Sequence, residues 1–120
     1  MTTASKKAKG RNLQKLVVDK IKVKFTQLVD NDVKSTSMGV TGEDIQLSPH
    51  GEKILGPLYI ECKNVEKLNV LSVMEETRLK AQAKKKIPIV VHKRNGIKPV
   101  VILDLDTWLE LLYWANGLAK

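Results

Sequence analysis

Two acids and an amine, Asp44, Glu61 and Lys63, are the residues of this chain whose types and spacing could do chemistry. Side chains alternate across a β-strand. In the run 57–63 (PLYIECK), Glu61 and Lys63 therefore share one face, and Leu58, Ile60 and Cys62 take the other. In a strand near Glu43–Leu47, Asp44 and Gln46 share a face opposite Ile45 and Leu47. Antiparallel pairing of these strands around a turn near Glu52 sets Asp44 opposite Glu61, and a slip of one residue would undo it. Two carboxylates at close range repel, and a divalent cation relieves the repulsion. Mg²⁺ binds through one or two carboxylates together with water and phosphate oxygens. It can polarise a phosphoryl oxygen and acidify a bound water. A lysine nearby offsets charge that builds up in the transition state. Phosphodiester hydrolysis needs little more. The bland alternative is a solvated sheet face carrying a surface salt bridge. A second acid-x-Lys triplet, Asp32-Val33-Lys34, has no acid-bearing strand before it.

The elements that must position these residues can be read from the same sequence. Leu13, Leu16, Val17, Ile21, Phe25, Leu28 and Val29 recur at steps of three and four, which predicts a helix over 11–29. Strands follow near Val33–Ser37, Glu43–Leu47 and 57–63, with turns around Met38-Gly39-Val40 and over Ser48–Glu52. Residues 70–85 form a second helix, with Asn69 or Ser72 capping it and Leu71, Met74, Leu79 and Ala81 among its apolar positions. Ile87–His92 and Val100–Leu103 make a hairpin through Asn95-Gly96, and Asp104 or Asp106 caps a last helix ending near Leu112 or Trp114. Its Trp108, Leu111, Leu112 and Trp114 are expected mostly in the core, with some available to a dimer surface. The expected order is α-β-β-β-α-β-β-α, an α/β fold with a mixed sheet of about five strands flanked by helices. Residues 1–9 read as a disordered basic arm, and 10–120 as a single domain.

The chain carries 21 Lys plus Arg against 13 Asp plus Glu, a formal charge of +8 over 120 residues. Such a surface suits a polyanion, DNA first. Lys84, Lys85, Lys86, Lys93 and Arg94 are expected to form a phosphate-binding rim, and Lys9 and Arg11 join them as expected DNA contacts. No apolar run is long enough to span a bilayer, and Met1–Lys9 lacks the hydrophobic stretch of a secretory signal. One cysteine, Cys62, forms no internal disulfide, in keeping with a reducing cytoplasm.

Several stretches resemble one family. A glycine, then Asp44-Ile45, then Glu61-Cys62-Lys63 on the next strand is similar to the PD-(D/E)xK nuclease superfamily. Within it, Lys9-Gly10-Arg11-Asn12-Leu13-Gln14, Ser37-Met38-Gly39 with Gly42-Glu43-Asp44, Glu61-Cys62-Lys63-Asn64 and Val91-His92-Lys93-Arg94-Asn95 resemble the archaeal-type Holliday junction resolvases and related small phage and prophage nucleases. The resemblance spans roughly 9 to 112. It implies a restriction-endonuclease-like core, Mg²⁺ or Mn²⁺ as cofactor with no small organic cofactor, a branched DNA substrate and a homodimer, since a four-way junction is two-fold symmetric. It implies that Asp44 and Glu61 bind the metal, joined by the backbone carbonyl of Cys62, and that Lys63 assists hydrolysis. Ser35 or Ser37 matches a serine near the scissile phosphate. The chain departs from the pattern in Glu43, where relatives have Pro, and in Gln14, where many have a metal-binding Glu. Glu75, Glu76 or Gln82 stands where many have a Gln on the next helix.

The expected activity is therefore a metal-dependent DNA endonuclease, most closely a Holliday junction resolvase. A less selective endonuclease and a non-catalytic DNA-binding protein of the same fold are the alternatives.

Overall fold

The computed structural model describes residues 2–36 and 40–118. Helix α1 (Thr3–Lys24) opens the chain, followed by strands β1 (Val33–Ser35) and β2 (Ile45–Leu47), a short helix α2 (Pro49–Leu55) and strand β3 (Leu58–Asn64). Helix α3 (Val70–Ala83), strands β4 (Ile87–Lys93) and β5 (Val100–Ile102) and helix α4 (Leu105–Ala115) complete it. The five strands form one sheet in chain order, β1-β2-β3-β4-β5. Neighbours are antiparallel except β3 and β4, which run parallel because α3 crosses over between them. The fold is the expected α/β arrangement with a mixed sheet of five strands between helices.

Each sheet face is closed by a different helix. Ile60 and Cys62 of β3 and Ile89 and Val91 of β4 point toward α1, where they meet Leu13 and Val18 together with Val33, Ile45 and Leu28. Val90, between two of those β4 residues, points the other way onto Val73 and Met74 of α3. At its centre β4 is thus apolar on both faces, as a strand covered on both sides requires, whereas β3 turns Glu61 and Lys63 away from the α1-side core.

Four local readings need correction. Residues 3–9 are not an arm but the first turns of α1, whose start is capped by Thr2 accepting a hydrogen bond from Ser5 N–H. Lysine-rich composition masked a sequence with no helix breaker until Gly10, and Gly10 itself lies within the helix. The same helix stops at Lys24, so Val29 is exposed in a loop. Ser48–Glu52 is not a plain turn. Ser48 caps α2 by accepting from Gly51 N–H, with Pro49 at the first helical position. Gly51 is required there, because a Cβ would stand 2.6 Å from the Asp32 carbonyl oxygen. On α3, Asn69 makes the cap, accepting from Ser72 N–H. Its buried positions are Val73, Met74, Thr77 and Ala81, whereas Leu71 and Leu79 are exposed.

The last helix departs most from expectation. Thr107 is buried and Leu111 packs against the α1-side core, one turn apart on the same line of α4. Trp108, Leu112 and Trp114, expected mostly inside, are 51%, 42% and 44% exposed, alongside exposed Leu105, Leu109 and Tyr113. Asp104 sits at the cap position without a capping hydrogen bond. Its carboxylate instead accepts two bonds from Arg78 of α3, from Nε at 3.1 Å and Nη2 at 2.7 Å. That bidentate pair ties α4 to α3.

Candidate active site

The site begins where the β2–β3 ladder ends. Ile45 pairs with Ile60, which in an antiparallel register sets Asp44 opposite Glu61. The backbone of Asp44 is held on both sides. Its N–H donates to the Ile60 carbonyl at 3.0 Å, and its own carbonyl accepts from Thr36 N–H at 2.9 Å. The Thr36 hydroxyl donates to the neighbouring Glu43 carbonyl. The Asp44 side chain then takes over from the ladder, its Oδ2 accepting from Cys62 N–H at 2.7 Å. This fixes the carboxylate beside Glu61.

Glu61 is 7% exposed. Burial first, and the adjacent Asp44 carboxylate second, push its carboxyl up from 4.5 to about 7, while Lys63 and Lys80 pull the other way. Burial beside a second carboxylate disfavours the charged form, a cost that a proton or a cation would relieve. A cavity of about 310 Å³ opens on the pair, and Asp44, Glu61, Lys63 and Gln14 all line it. The three residues singled out by strand alternation therefore converge, and Gln14 of α1 joins them. Cys62 also lines this cavity, though its thiol belongs to the α1-side core and burial pushes it up to about 12. Among the described residues no group of three or more His, Cys, Asp or Glu side chains is placed to hold a metal. Two acids and the Gln14 amide are nonetheless oxygen donors of the kind Mg²⁺ accepts when water and phosphate fill the remaining positions.

Of the remaining expected residues, Arg11 lines the same cavity, and Lys9 lines an adjoining one of about 490 Å³ that also includes Lys63. Ser37 lies outside the described residues, and Ser35 is an exposed residue of β1. Thr36, between them, is the hydroxyl that lines the cavity. The expected basic rim is split. Lys84 and Lys85 follow α3 at the start of β4, whereas Lys93 and Arg94 lie at its far end, a strand of 7 residues away, or roughly 20 Å at about 3.3 Å per residue. Lys86 is neutralised by Glu43 at 2.9 Å and Glu52 at 3.4 Å. The second triplet has a structural task, with Asp32 accepting from Val29 N–H and the Ser48 hydroxyl. Glu75 pairs with Arg78, and Glu76 with Lys80.

Sequence reading passed over Lys7, Thr36, Tyr59 and Lys80, which all line cavities containing the acid pair. Lys7 was hidden by the assignment of its segment to an arm. Lys80 lies one helical turn before Lys84 on α3, a spacing that could have found it. A scan against protein-family models, a search of curated proteins and a search of solved structures each found no match. No helix among the described residues is long and apolar enough to cross a membrane.

Proposed function

We propose that this chain is a divalent-metal-dependent DNA endonuclease acting on branched DNA, in the manner of a Holliday junction resolvase. The observation that supports it most is the placement of Asp44 opposite Glu61, with Lys63 on the same cavity. Asp44 and Glu61 would hold Mg²⁺ or Mn²⁺, with the Cys62 carbonyl and Gln14 beside them. Bound there, the cation would supply charge neutralisation at the phosphoryl group and acidify a water. The Cys62 N–H keeps Asp44 oriented. Lys63 brings a positive charge to a phosphate on the acid pair, where low solvent exposure strengthens its effect. Lys7 and Arg11 of α1 attract the DNA backbone to the same opening. A two-fold pair of chains would present two such centres to a four-way junction, and the apolar outer face of α4 is the surface available for that pairing.

The test compares wild type with Asp44→Asn on four-way junctions, flaps and linear duplex. Wild type is expected to cut junctions in Mg²⁺ and to do nothing in chelator. Asp44→Asn keeps DNA binding and loses cutting by at least about 100-fold, the scale of a lost electrostatic group. Equal cutting of all three substrates favours a less selective endonuclease. The neutral Gln14 favours a second reading, a DNA-binding protein without catalysis, under which wild type and Asp44→Asn behave alike.

A further inference from the structure

The acid pair is open on two sides. Besides the cavity facing α1, Asp44 and Glu61 line a second one of about 610 Å³, walled by Tyr59, by Lys80 of α3 and by Lys84 at the end of that helix. The α1-side cavity in turn shares Lys63 and Gly10 with the one lined by Lys6 and Lys9. Shared lining residues set the three openings in one track, with Lys63 and Gly10 between the first two and Asp44 and Glu61 between the last two. Lysines and Arg11 occupy its α1 end, the two acids its middle, and two lysines its α3 end.

The two α3 lysines are differently engaged. Lys84 is bonded at 3.0 Å to Glu43, which is buried, and its ammonium lies 5.7 Å from the centre of the Tyr59 ring. It also lies over Gly42, where an added Cβ would stand 3.2 Å from the Lys84 ammonium and the φ of +119° disfavours any side chain. Lys84 is thus built into the wall. Among the described residues Lys80 is held only by Glu76 at 3.2 Å, in an i,i+4 pair with both side chains about half exposed. Such pairs are weak and exchange readily for a stronger anion. Glu61 lies close enough for its charge to act on Lys80.

We propose that one strand of DNA follows this track across the acids, with phosphates bound on both sides of them, and that Lys80 holds the phosphate on the α3 side. This deepens the nuclease reading and rests on it. A cleft basic on one side only would serve a strand end. One that continues past the acids onto a second basic wall serves an internal bond, and so a cut within a chain. Lys80 is a positioning residue here: it leaves Glu76 and takes the phosphate.

The experiment measures binding of a fluorescently labelled single-stranded oligonucleotide to the full chain in chelator, across about 50–200 mM salt, separately from cutting in Mg²⁺. Lys80→Ala and Lys80→Gln are expected to bind roughly fivefold more weakly and to lower the slope of log affinity against log salt by about 0.7, the share of one phosphate on a single strand. Lys80→Arg restores both, and Lys53→Ala, on the exposed side of α2, changes neither. Wild-type affinity and slope in both Lys80→Ala and Lys80→Gln would overturn the assignment. If wild type cuts no DNA but the slope change is found, the nuclease reading fails and the track stands. If wild type cuts and Lys80 leaves slope and affinity untouched, the reverse holds.

Discussion

At the scale of single residues, the pairing of Asp44 with Glu61 makes the site sensitive to pH. Glu61 is held up from 4.5 to about 7 by burial and by Asp44. Over that interval the folded chain keeps a proton that the unfolded chain has released. Stability of the metal-free protein therefore falls as pH rises from the ordinary glutamate value through about 7. At about 1.4 kcal/mol per pKa unit, the loss is on the order of 1–3 kcal/mol. Urea denaturation in chelator at pH 5.5 and pH 8 should show wild type losing stability relative to Glu61→Gln, which has no charge to desolvate. Mg²⁺ should restore wild type at pH 8 and leave Glu61→Gln unchanged. Equal pH dependence in the two proteins would mean that the Glu61 charge escapes to solvent. These site residues were legible because alternation on two strands is a strong rule and the register is set by apolar residues on the other face. Gln14, Ser37 and the Cys62 carbonyl came only from family resemblance. Of these, the structure brings Gln14 and Cys62 to the cavity, while Ser37 lies outside the described residues.

Among the elements, the loop before β2 is held by charge. Glu43 is buried and bonded to Lys84 at 3.0 Å and Lys86 at 2.9 Å, so it joins the end of α3 and the start of β4 to the residue next to Asp44. Burial alone would raise its carboxyl, but the two lysines outweigh that and hold it below the ordinary range. Its contribution is present above that range and is lost as pH falls through it. Glu43→Gln should cost about 1–3 kcal/mol at pH 7 in thermal or urea unfolding, moderated because Lys84 is half exposed and can hydrate. An unchanged midpoint would remove Glu43 from the framework of the site. In sequence, Glu43 registers only as a departure from a Pro-Asp pattern. Its partners lie 41 and 43 residues away, beyond any local rule. The α2 helix escaped detection for a related reason, since Ser-Pro-His-Gly is equally good turn and helix-start chemistry.

Taken whole, the molecule is electrically divided. Residues 99–118 carry Asp104, Asp106 and Glu110 and no Lys or Arg, although the chain as a whole is +8. The same stretch bears the exposed Trp108, Leu109, Leu112, Tyr113 and Trp114. If the chain binds DNA as proposed, the lysine-rich remainder of its surface would draw the phosphate backbone and leave α4 for contact with protein. If two chains pair through α4, Trp108→Glu should shift sedimentation from dimer to monomer while the single-chain fold, followed by circular dichroism, is retained. A wild-type monomer at tens of micromolar would dismiss α4 as a self-pairing face. Sequence alone placed Trp108 and Trp114 mostly inside, because a helix rich in apolar residues looks the same whether a core or a partner covers it.

Cys62 sits where the chain's only thiol is of most practical use. Buried under α1 and pushed up to about 12, it carries almost no thiolate at neutral pH, so maleimides and disulfide reagents should pass it by until the chain unfolds. A cysteine introduced at an exposed position would then be the sole reactive handle, ready for a dye or spin label without first removing the native one. The native thiol becomes a built-in clock for opening of the sheet at β3, its alkylation rate reporting how often that strand is laid bare.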